Sequence, residues 1–448
     1  MYLQNGVTVP DYVLINIEDL RVGMYVRLEI GWMNHPFPTS SFRIASPDQI
    51  RVLRDLGLRE VRHVPSRSMV AGNEAGQAAD APAAPGGAAQ GDAAGVEPLD
   101  GPADRPGAAA SAPSEGVARK TNSSLQSHSY ARFQEAAALY ADVLAGVQDT
   151  PTVLRERVQE WVRTGVAELM EAENYAVHLL AQVAGQRQIK HSVNVMVLAM
   201  LLGRSLNLGA ASLRLLGAAG LLHDIGKIEL PAHIAAPGAA LSAGDRRLYE
   251  EHVQRSMVIA QRMGFDADLV QAIGEHHEMV DGSGFPKGSS GAQISRHGQI
   301  LALVNRYDRL CNPLHGEASH TPHEALARLF SQERKRFDPT TVLAAFIRMM
   351  GVYPPGSIVQ LGDGRFARVV ASNAQSPLRP CVLPFVAGVS LDEAQELDLG
   401  PGTAGGIRRS VKCDALPDEV LEFFQPAQQM CYFFERMPRQ AQSESAAR

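Results

Sequence analysis

Helical periodicity that continues from residue 126 to residue 350 is the feature that most constrains the fold of this chain. Apolar residues recur there at the three- and four-residue spacing of amphipathic helices. Several such helices joined by short loops pack as a bundle, and a bundle can bring distant side chains together in its interior. We therefore predict a mainly α fold, with helices at 129–147, 151–185, 189–206, 210–222, 243–263, 266–276, 296–310, 321–333 and 339–350.

Polar residues with metal-binding chemistry follow one of these helices. The apolar run 215–222 leads directly into His223 and Asp224, and Lys227 follows three residues later. An imidazole and a carboxylate are metal ligands of different kinds, and a lysine can hold a phosphate as a compact point charge. Burying these groups beside an apolar run is costly unless an ion or partner compensates them. The alternative is a helix C-terminal cap with a surface salt bridge.

Further imidazoles lie in other predicted helices. His191 shares a helix with apolar residues, His252 lies in a later helix, and His276 and His277 close a third, just before a glycine-rich loop at 281–286. A single buried histidine is usually structural, and two at a helix end are often solvated. A helical bundle could nevertheless bring all of them to the His223–Asp224 pair, which would give a metal-assisted phosphohydrolase centre.

The segments that flank the helical region have different compositions. Residues 1–65 are expected to form a small α+β module, with strands at 13–17, 24–30 and 60–64. Residues 66–125 are dominated by Ala, Gly, Pro and Ser, so we expect a disordered linker with too little apolar surface to fold. Residues 351–437 form a β-rich accessory region, which includes a hairpin turning at Asp363-Gly364. Residues 438–448 are a polar tail, expected to be disordered.

Bulk properties exclude several classes of protein. A net charge of −6 and a pI near 6.2 do not favour a nucleic-acid polymer as a partner. The four cysteines lack CxxC spacing, which argues against a zinc ribbon or a disulfide framework and favours a reducing cytoplasm. The N-terminus lacks the basic start of a signal peptide. The longest apolar run, 195–203, is too short to span a bilayer.

From about 185 to 345, the chain resembles the HD-GYP domain of bacterial signalling, a branch of the HD phosphohydrolase superfamily. The resemblance rests on the order and spacing of His191, His223-Asp224, Lys227, His252, His276-His277-Glu278 and Asp281-Gly282-Ser283-Gly284-Phe285-Pro286. The N-terminal segment, with Leu20-Arg21-Val22-Gly23-Met24-Tyr25-Val26, is similar to a short domain often found ahead of HD-GYP domains. The expected fold is thus an HD-type helical bundle between a small α+β module and a β-rich segment.

The resemblance implies a site with two divalent transition metal ions, iron or manganese. His191, His223 and Asp224 would hold one ion, and Asp224 would bridge to a second ion held by His252, His276 and His277. A water activated between the ions would attack phosphorus. Lys227 would contact the phosphodiester and offset the developing charge. Gly284, Phe285 and Pro286 stand where the family has Gly-Tyr-Pro and are expected to contact substrate; Phe285 retains the aromatic ring and lacks the hydroxyl.

Three positions depart from the family pattern. The family's D-x-Y-D-A-L segment reads Asn305-Arg306-Tyr307-Asp308-Arg309-Leu310 here, so the ligand position is Asn305, whose amide can coordinate without contributing a charge. The stretch 311–316 lacks the basic residues that often contact the ligand's phosphates. Arg187 stands where members with three metals have a Glu, which argues for two ions at most. Arg187 could itself supply a phosphate contact.

Two functions remain open at this point. The first is a metal-dependent phosphodiesterase that opens cyclic di-GMP to linear pGpG, and whether pGpG is then cut to GMP stays open. The alternative is a catalytically degenerate HD-GYP protein that binds cyclic di-GMP, or a partner such as a diguanylate cyclase, without turnover. A third reading is an HD hydrolase acting on another nucleotide. The oligomeric state stays open, a homodimer included.

Overall fold

The computed structural model describes residues 12–28, 41–44, 47–55, 58–65, 68, 118–119, 123–172, 175–180, 183, 185–236, 241–313, 319–373, 376–391, 393–399, 406–424 and 429–436. Contacts divide the chain into two units. One comprises Met1–Arg27 and Ser41–Ser114, and the other comprises Leu28–Ser40 and Glu115–Arg448. In the part of the chain that the structure describes, no helix combines the length and apolar character needed to cross a membrane.

The first unit contains a small antiparallel sheet and one helix. Its elements are β1 (Val13–Asn16), β2 (Tyr25–Arg27), β3 (Ser41–Arg43), α1 (Pro47–Asp55) and β4 (Glu60–His63). The strand order is β1-β4-β2-β3. The predicted strand at 24–30 is described only over Tyr25–Arg27, and residues 29–40 lie outside the described part. Strand β3 was not predicted, because three residues are too few to show strand alternation.

The second unit is built on helices, as predicted. They are α2 (Ser123–Gly146), α3 (Pro151–Glu171), α4 (Arg187–Ser205), α5 (Ala210–Leu222), α6 (Ala232–Ala235), α7 (Ala243–Met263), α8 (Ala267–Glu275), α9 (Arg296–Cys311), α10 (Pro322–Ser331), α11 (Val342–Met350) and α12 (Asp418–Phe424). The expectation of a mainly α fold is confirmed.

Helix α4 is the centre of this unit. Every residue from Val193 to Gly203 is buried, so this helix is covered by neighbours on all sides. Helix α5 packs closely on it, because Gly220 has no side chain: a Cβ there would lie 2.8 Å from the Met196 Cα. The end of α5, and the residues that follow it, are thereby brought next to the N-terminal half of α4.

A sheet joins the two ends of the second unit. Its strands are β5 (Ala118–Arg119), β6 (Tyr175–Leu180), β7 (Ile358–Leu361), β8 (Phe366–Ala371), β9 (Cys381–Pro384), β10 (Glu396–Asp398), β11 (Ile407–Val411) and β12 (Cys431–Arg436). Strands β7 and β8 are antiparallel partners, in the region of the predicted hairpin. Strand β12 pairs antiparallel with β6 along its whole length.

The predicted helix 151–185 was wrong in its second half. Helix α3 ends at Glu171, and Tyr175–Leu180 is the strand β6. This run, Tyr-Ala-Val-His-Leu-Leu, is buried nearly throughout, so it shows no strand alternation, and periodicity alone cannot distinguish it from a buried helix. The partner that fixes it as a strand, β12, lies far away in the sequence.

The end of the predicted linker 66–125 also differs from expectation. Ala118–Arg119 pair with Glu396 and Leu397 as an edge strand, and α2 already begins at Ser123. A two-residue bridge depends on backbone hydrogen bonds to a distant strand, which composition does not reveal. Most of the linker and the predicted tail 438–448 lie outside the described residues.

Candidate metal centre

A tight turn after α5 presents the His-Asp pair. His223 continues directly from α5, and Ile225–Glu229 form a short 3-10 helix in which the Lys227 amide donates to the Asp224 carbonyl. Gly226 allows this turn to lie against α7, since a Cβ there would lie 2.4 Å from the carbonyl oxygen of His252. The Gly226 amide also donates to Ser256 Oγ on α7. The turn therefore holds Asp224 beside His252.

The other imidazoles come from three further elements. His191 lies in the second turn of α4, His252 in the middle of α7, and His276 and His277 directly after α8. All are buried except His277, which is half-buried. The structure thus brings together the six predicted ligands from α4, α5, α7 and α8, which is the convergence that a bundle makes available.

The six residues form two sets that share one carboxylate. One set is His191, His223 and Asp224, and the other is Asp224, His252, His276 and His277; within each set the ligand atoms lie within 4.8 Å of one another. Asp224 Oδ1 lies 3.3 Å from His252 Nε2, whereas Asp224 Oδ2 lies 3.5 Å from His223 Nε2 and 3.6 Å from His191 Nε2. Each oxygen of Asp224 therefore belongs to a different set.

Hydrogen bonds fix the tautomers of the imidazoles. The Nδ1 atoms of His223, His252 and His276 lie 2.7, 2.5 and 2.6 Å from the carbonyl oxygens of Gly220, Tyr249 and Ile273. A carbonyl can only accept, so each Nδ1 carries the hydrogen and each Nε2 is left with a free lone pair. All three lone pairs belong to atoms of the ligand sets, and hydrogen bonds of this kind orient histidine ligands in metalloproteins.

His191 is held by a carboxylate instead. Its Nδ1 lies 2.6 Å from Asp308 Oδ2, while Asp308 Oδ1 accepts from Asn194 Nδ2 at 2.7 Å and from Asn312 Nδ2 at 2.9 Å. Burial raises the pKa of Asp308 to about 6. Asp308 was not among the residues predicted to form the site. Its only signal was the acid of the Asn-Arg-Tyr-Asp segment, one helical turn from Asn305.

Distances between imidazole nitrogens fit a bound cation. His191 Nε2 lies 3.2 Å from His223 Nε2, and His252 Nε2 lies 3.4 Å from His276 Nε2. With both Nδ1 atoms of a pair acting as donors, two lone pairs face each other, which is repulsive unless a cation lies between them. Nitrogen ligands about 2.1 Å from a shared ion lie about 3.0–3.4 Å apart at octahedral or tetrahedral angles. The donor set and its spacing therefore fit a transition metal.

Unsatisfied acceptors lead to the same conclusion. Asp224 Oδ1, His277 Nε2 and Asn305 Oδ1 are buried without a hydrogen-bond partner among the described residues. Buried polar atoms are nearly always paired, so three such atoms in one region of the protein call for an explanation. A metal ion would satisfy acceptors of this kind. Asn305 lies on α9 one turn before Asp308 and is itself buried.

Electrostatics keep these groups in their ligand forms. Burial lowers the pKa of His191, His276 and His277 well below the ordinary value, and lowers the pKa of His252 as well. Burial acts to raise the pKa of Asp224, but the charge of Lys227 and contacts with His223 and His252 outweigh it and hold that pKa well below its usual range. These four imidazoles are therefore neutral and the carboxylate is ionised, as metal binding requires.

Two cationic side chains form ion pairs with Asp224. Lys227 Nζ lies 2.6 Å and Arg309 Nη2 lies 2.8 Å from Asp224 Oδ2. Lys227 was predicted to act at the centre, whereas Arg309 was not. The missed signal is that Arg309 occupies the Ala position of the D-x-Y-D-A-L pattern, on the same face of α9 as Asn305 and Asp308.

The loop after α8 packs against the second ligand set. The Phe285 ring stacks on His277, with centroids 4.4 Å apart, and the Phe285 amide donates to the His277 carbonyl. The loop backbone passes so close to His277 that residue 284 must be glycine. A Cβ on Gly284 would lie 2.4 Å from the His277 carbonyl oxygen. Glu278 closes the loop by accepting from the amides of Lys287 and Ser289. Contact of Gly284, Phe285 or Pro286 with a substrate remains a prediction.

Arg187 has a structural partner. Its guanidinium donates to the carbonyl oxygen of Pro313, at the end of the segment that follows α9. The predicted phosphate contact from Arg187 would require this hydrogen bond to change. Of the stretch 311–316 that lacks basic residues, the structure describes only 311–313.

Two family models match the chain. An HD domain model matches residues 175–341, and a domain of unknown function, DUF3391, matches residues 12–159. The first match contains all six residues of the two ligand sets, together with Lys227, Asn305 and Arg309. The second match begins in the N-terminal unit and ends within α3.

Curated proteins with related sequences act on cyclic dinucleotides. A cyclic di-GMP phosphodiesterase of Pseudomonas aeruginosa is 27% identical over 89% of this chain and 91% of that protein. A cyclic di-GMP phosphodiesterase of Borreliella burgdorferi is 24% identical over 51% of this chain and 61% of its own length. A 3'3'-cGAMP-specific phosphodiesterase of Vibrio cholerae is 28% identical over 35% of this chain and 37% of its own length. The chain thus spans most of the first relative and less than two thirds of the other two.

Proposed function

We propose that this chain, which belongs to the HD-GYP family of HD domain proteins, is a metal-dependent phosphodiesterase that opens cyclic di-GMP to linear pGpG. The observation that carries the proposal is the pair of ligand sets sharing Asp224, with Lys227 at the same carboxylate. The similarity to the Pseudomonas relative extends over nearly the whole of both chains, and that relative is a cyclic di-GMP phosphodiesterase.

The ligand chemistry suits iron or manganese in up to two positions. His191 and His223 would hold one ion and His252, His276 and His277 the other, with Asp224 between them. Mixed imidazole and carboxylate ligation is compatible with either metal. When bound, such ions polarise a phosphoryl oxygen and lower the pKa of water at the site.

The protein's own groups position and neutralise the reacting phosphodiester. Hydrolysis adds the oxygen of water to phosphorus and breaks one P–O3′ bond; the leaving oxygen takes up a proton and the product keeps a 5′-phosphate. Lys227, buried beside Asp224, places a positive charge where negative charge develops on the phosphoryl oxygens. The Phe285 ring, stacked on His277, limits water on the most exposed ligand.

Turnover by the full chain tests this proposal. Protein purified without oxygen and loaded with Fe²⁺ or Mn²⁺ should convert cyclic di-GMP to pGpG, and HPLC would also show whether GMP follows. The doubly substituted His223→Ala, Asp224→Ala chain should be inactive under the same loading. Unchanged cyclic di-GMP in both samples, with metal bound to the unsubstituted chain, would overturn the proposed activity.

A non-catalytic function is favoured by two residues of α9. Asn305 supplies no charge where the family has Asp, and Arg309 lies on the shared carboxylate. A degenerate protein of this kind would bind cyclic di-GMP, measured by calorimetry, without producing pGpG. Gain of hydrolysis in Asn305→Asp would show that the scaffold is competent and that the native residue limits it.

Another cyclic dinucleotide is the second alternative. It is favoured by the Vibrio relative, which is specific for 3'3'-cGAMP. Parallel assays of cyclic di-GMP and 3'3'-cGAMP would separate the two substrates through their kcat/KM values. A preference for cyclic di-GMP is the result that we expect.

The cellular setting of the protein stays a prediction. A reducing cytoplasm is the compartment that we propose, from the scattered spacing of the four cysteines. A diguanylate cyclase partner and a homodimer would be tested by co-purification and by light scattering.

A further inference from the structure

The two oxygens of Asp224 have different surroundings. Oδ1 faces His252 Nε2 at 3.3 Å and His276 Nε2 at 3.8 Å, and it accepts no hydrogen bond from any residue that the structure describes. Oδ2 lies 2.6 Å from Lys227 Nζ and 2.8 Å from Arg309 Nη2. The half of the centre formed by His252, His276 and His277 therefore contains an acceptor without a hydrogen bond. The half formed by His191 and His223 already contains two cationic groups, Lys227 and Arg309.

Two residues of α9, Asn305 and Arg309, are each more positive than the corresponding residue of the D-x-Y-D-A-L pattern that this segment resembles. Asn305 lacks the negative charge of the Asp in D-x-Y-D-A-L, and Arg309 adds a positive charge where that pattern has Ala. Each change shifts the local charge by one unit in the same direction. The combined shift of two units equals the charge of one divalent ion.

The charge of Arg309 is poorly screened by solvent. Its side chain is 14% exposed and that of Asp224 is 1% exposed, so the pair interacts much more strongly than it would at the surface. A guanidinium does not lose its proton in proteins. An ion entering between His191 and His223 would therefore meet a fixed positive charge on the carboxylate that it needs.

We propose that Arg309 takes the place of one metal ion at this centre, so that the two ligand sets load unequally. The inference rests on the metal centre proposed above. The first ion binds tightly to Asp224, His252, His276 and His277. His191 and His223 take a second ion only weakly while Arg309 remains on Asp224 Oδ2.

The hydrogen-bond donors of Arg309 that do not contact Asp224 fit its proposed role in place of a metal ion. Its Nη1 is buried and has no hydrogen-bond partner within the described ranges. A guanidinium that binds Asp224 through Nη2 can offer Nη1 to a phosphate oxygen, because its donors form a planar fork. Arg309 would then orient the phosphodiester and offset its charge in the position where the second ion would do so.

Metal stoichiometry tests the role of Arg309 without relying on activity. The full chain and its Arg309→Met variant would be titrated with Mn²⁺ under anaerobic conditions by calorimetry, with bound metal counted by ICP-MS after dialysis. We expect about one tightly bound Mn²⁺ per native chain and about two in Arg309→Met, with the second ion bound about tenfold more tightly or better. A spin-coupled dimanganese EPR signal should appear in the variant alone.

Two further variants guard against a folding artefact. Asn305→Asp changes the charge in the same direction while leaving Arg309 in place, so it should also tighten the second ion. Arg296→Ala removes an arginine at the start of α9 that pairs with Asp338 near the surface, and it should leave the stoichiometry unchanged. Circular dichroism would establish that each variant is folded.

The outcomes separate this inference from the function on which it rests. Two equally tight ions in the native chain, or one ion in both the native chain and Arg309→Met, would overturn the role of Arg309. If the native chain hydrolyses cyclic di-GMP with two tight ions, the proposed function stands and only the inference fails. If no variant binds Mn²⁺ or Fe²⁺, both are overturned.

Discussion

Four imidazoles of the centre are oriented by a hydrogen bond at Nδ1. In each case the partner is a group outside the two ligand sets. For His223, His252 and His276 that group is the backbone carbonyl three residues earlier. A helical backbone brings this carbonyl within reach of the imidazole. For His191 the group is a buried carboxylate. The candidate ligands are thus pre-oriented, which would reduce the entropy lost if they bound an ion.

Single histidine substitutions should reveal which ligand set holds the tight ion. His252→Ala leaves Asp224 Oδ1 facing His276 alone among its close imidazoles, so Mn²⁺ affinity should fall by about tenfold or more. His191→Ala removes a ligand from the half that contains Arg309, and affinity for the first ion should change by less than about threefold. Calorimetry with Mn²⁺ measures both. Equal losses in the two variants would contradict unequal loading.

Among the elements, the helices were the easiest to predict and the short strands the hardest. Helices such as α7 show local signals: Ser242 caps its first turn, and Gly264 ends it in a left-handed conformation. Strand β6 carries no comparable signal, because what makes it a strand is pairing with β12, more than 240 residues further along the chain. Local patterns indicate local structure, while pairing between distant segments depends on the whole fold.

The same distinction applies to the residues of the centre. His223, Asp224 and the other four ligand candidates could be proposed because they recur in a recognisable order. Asp308 and Arg309 could not be assigned roles, since a charged residue on a helix is usually solvated. Only the packing of α9 against α4 and the turn after α5 places Arg309 on Asp224. A departure from the family pattern at that position was visible, but its consequence was not.

Helices α9 and α10 are linked through one buried carboxylate. Glu333, just after α10, accepts from Arg306 Nε and Nη2 on α9 at 2.8 and 2.7 Å and from Arg328 Nε at 2.9 Å. Burial acts to raise the pKa of Glu333, but the hydrogen bonds and charges of the arginines outweigh it and lower that pKa to about 2. The ion pair therefore helps to hold α9, and with it Asn305, Asp308 and Arg309.

The stability that Glu333 contributes should disappear in acid. Because its folded pKa is below the unfolded value, the contribution is complete above about pH 4.5 and is lost as the pH falls towards 2. Glu333→Gln should lower the free energy of unfolding at pH 7 by about 2–3 kcal/mol, a figure reduced because the arginines are partly exposed. Urea unfolding at pH 7 and pH 3 measures the difference. A deficit of the same size at both values would contradict this assignment.

At the scale of the whole molecule, the C-terminal strand is connected to the first ligand set by hydrogen bonds. The Tyr432 amide donates to Asn194 Oδ1 at 3.1 Å, and the Met430 amide donates to Asn312 Oδ1 at 2.7 Å. Both asparagines donate to Asp308 Oδ1, and Asp308 binds His191. Strand β12 is therefore part of the framework that orients His191, a candidate metal ligand.

Removing Asn194 should weaken this framework. Asn194→Ala leaves the Tyr432 amide and Asp308 Oδ1 each without one partner in the interior, so the free energy of unfolding should fall by about 1–3 kcal/mol. Thermal unfolding measures the change, and Gln159→Ala at an exposed position of α3 should leave the melting temperature nearly unaltered. An equally small effect of both substitutions would show that the Asn194 contacts contribute little to stability.

The pairing of β6 with β12 also has a consequence for the order of events during synthesis. Asn194 leaves the ribosome 238 residues before Tyr432, the residue that it binds. At about 5–20 residues per second, helix α4, which carries His191 and Asn194, waits about 12–48 s for the strand that completes its support. Over that interval β6 lacks its partner β12, so a chaperone would be needed most while residues 195–432 are being synthesised.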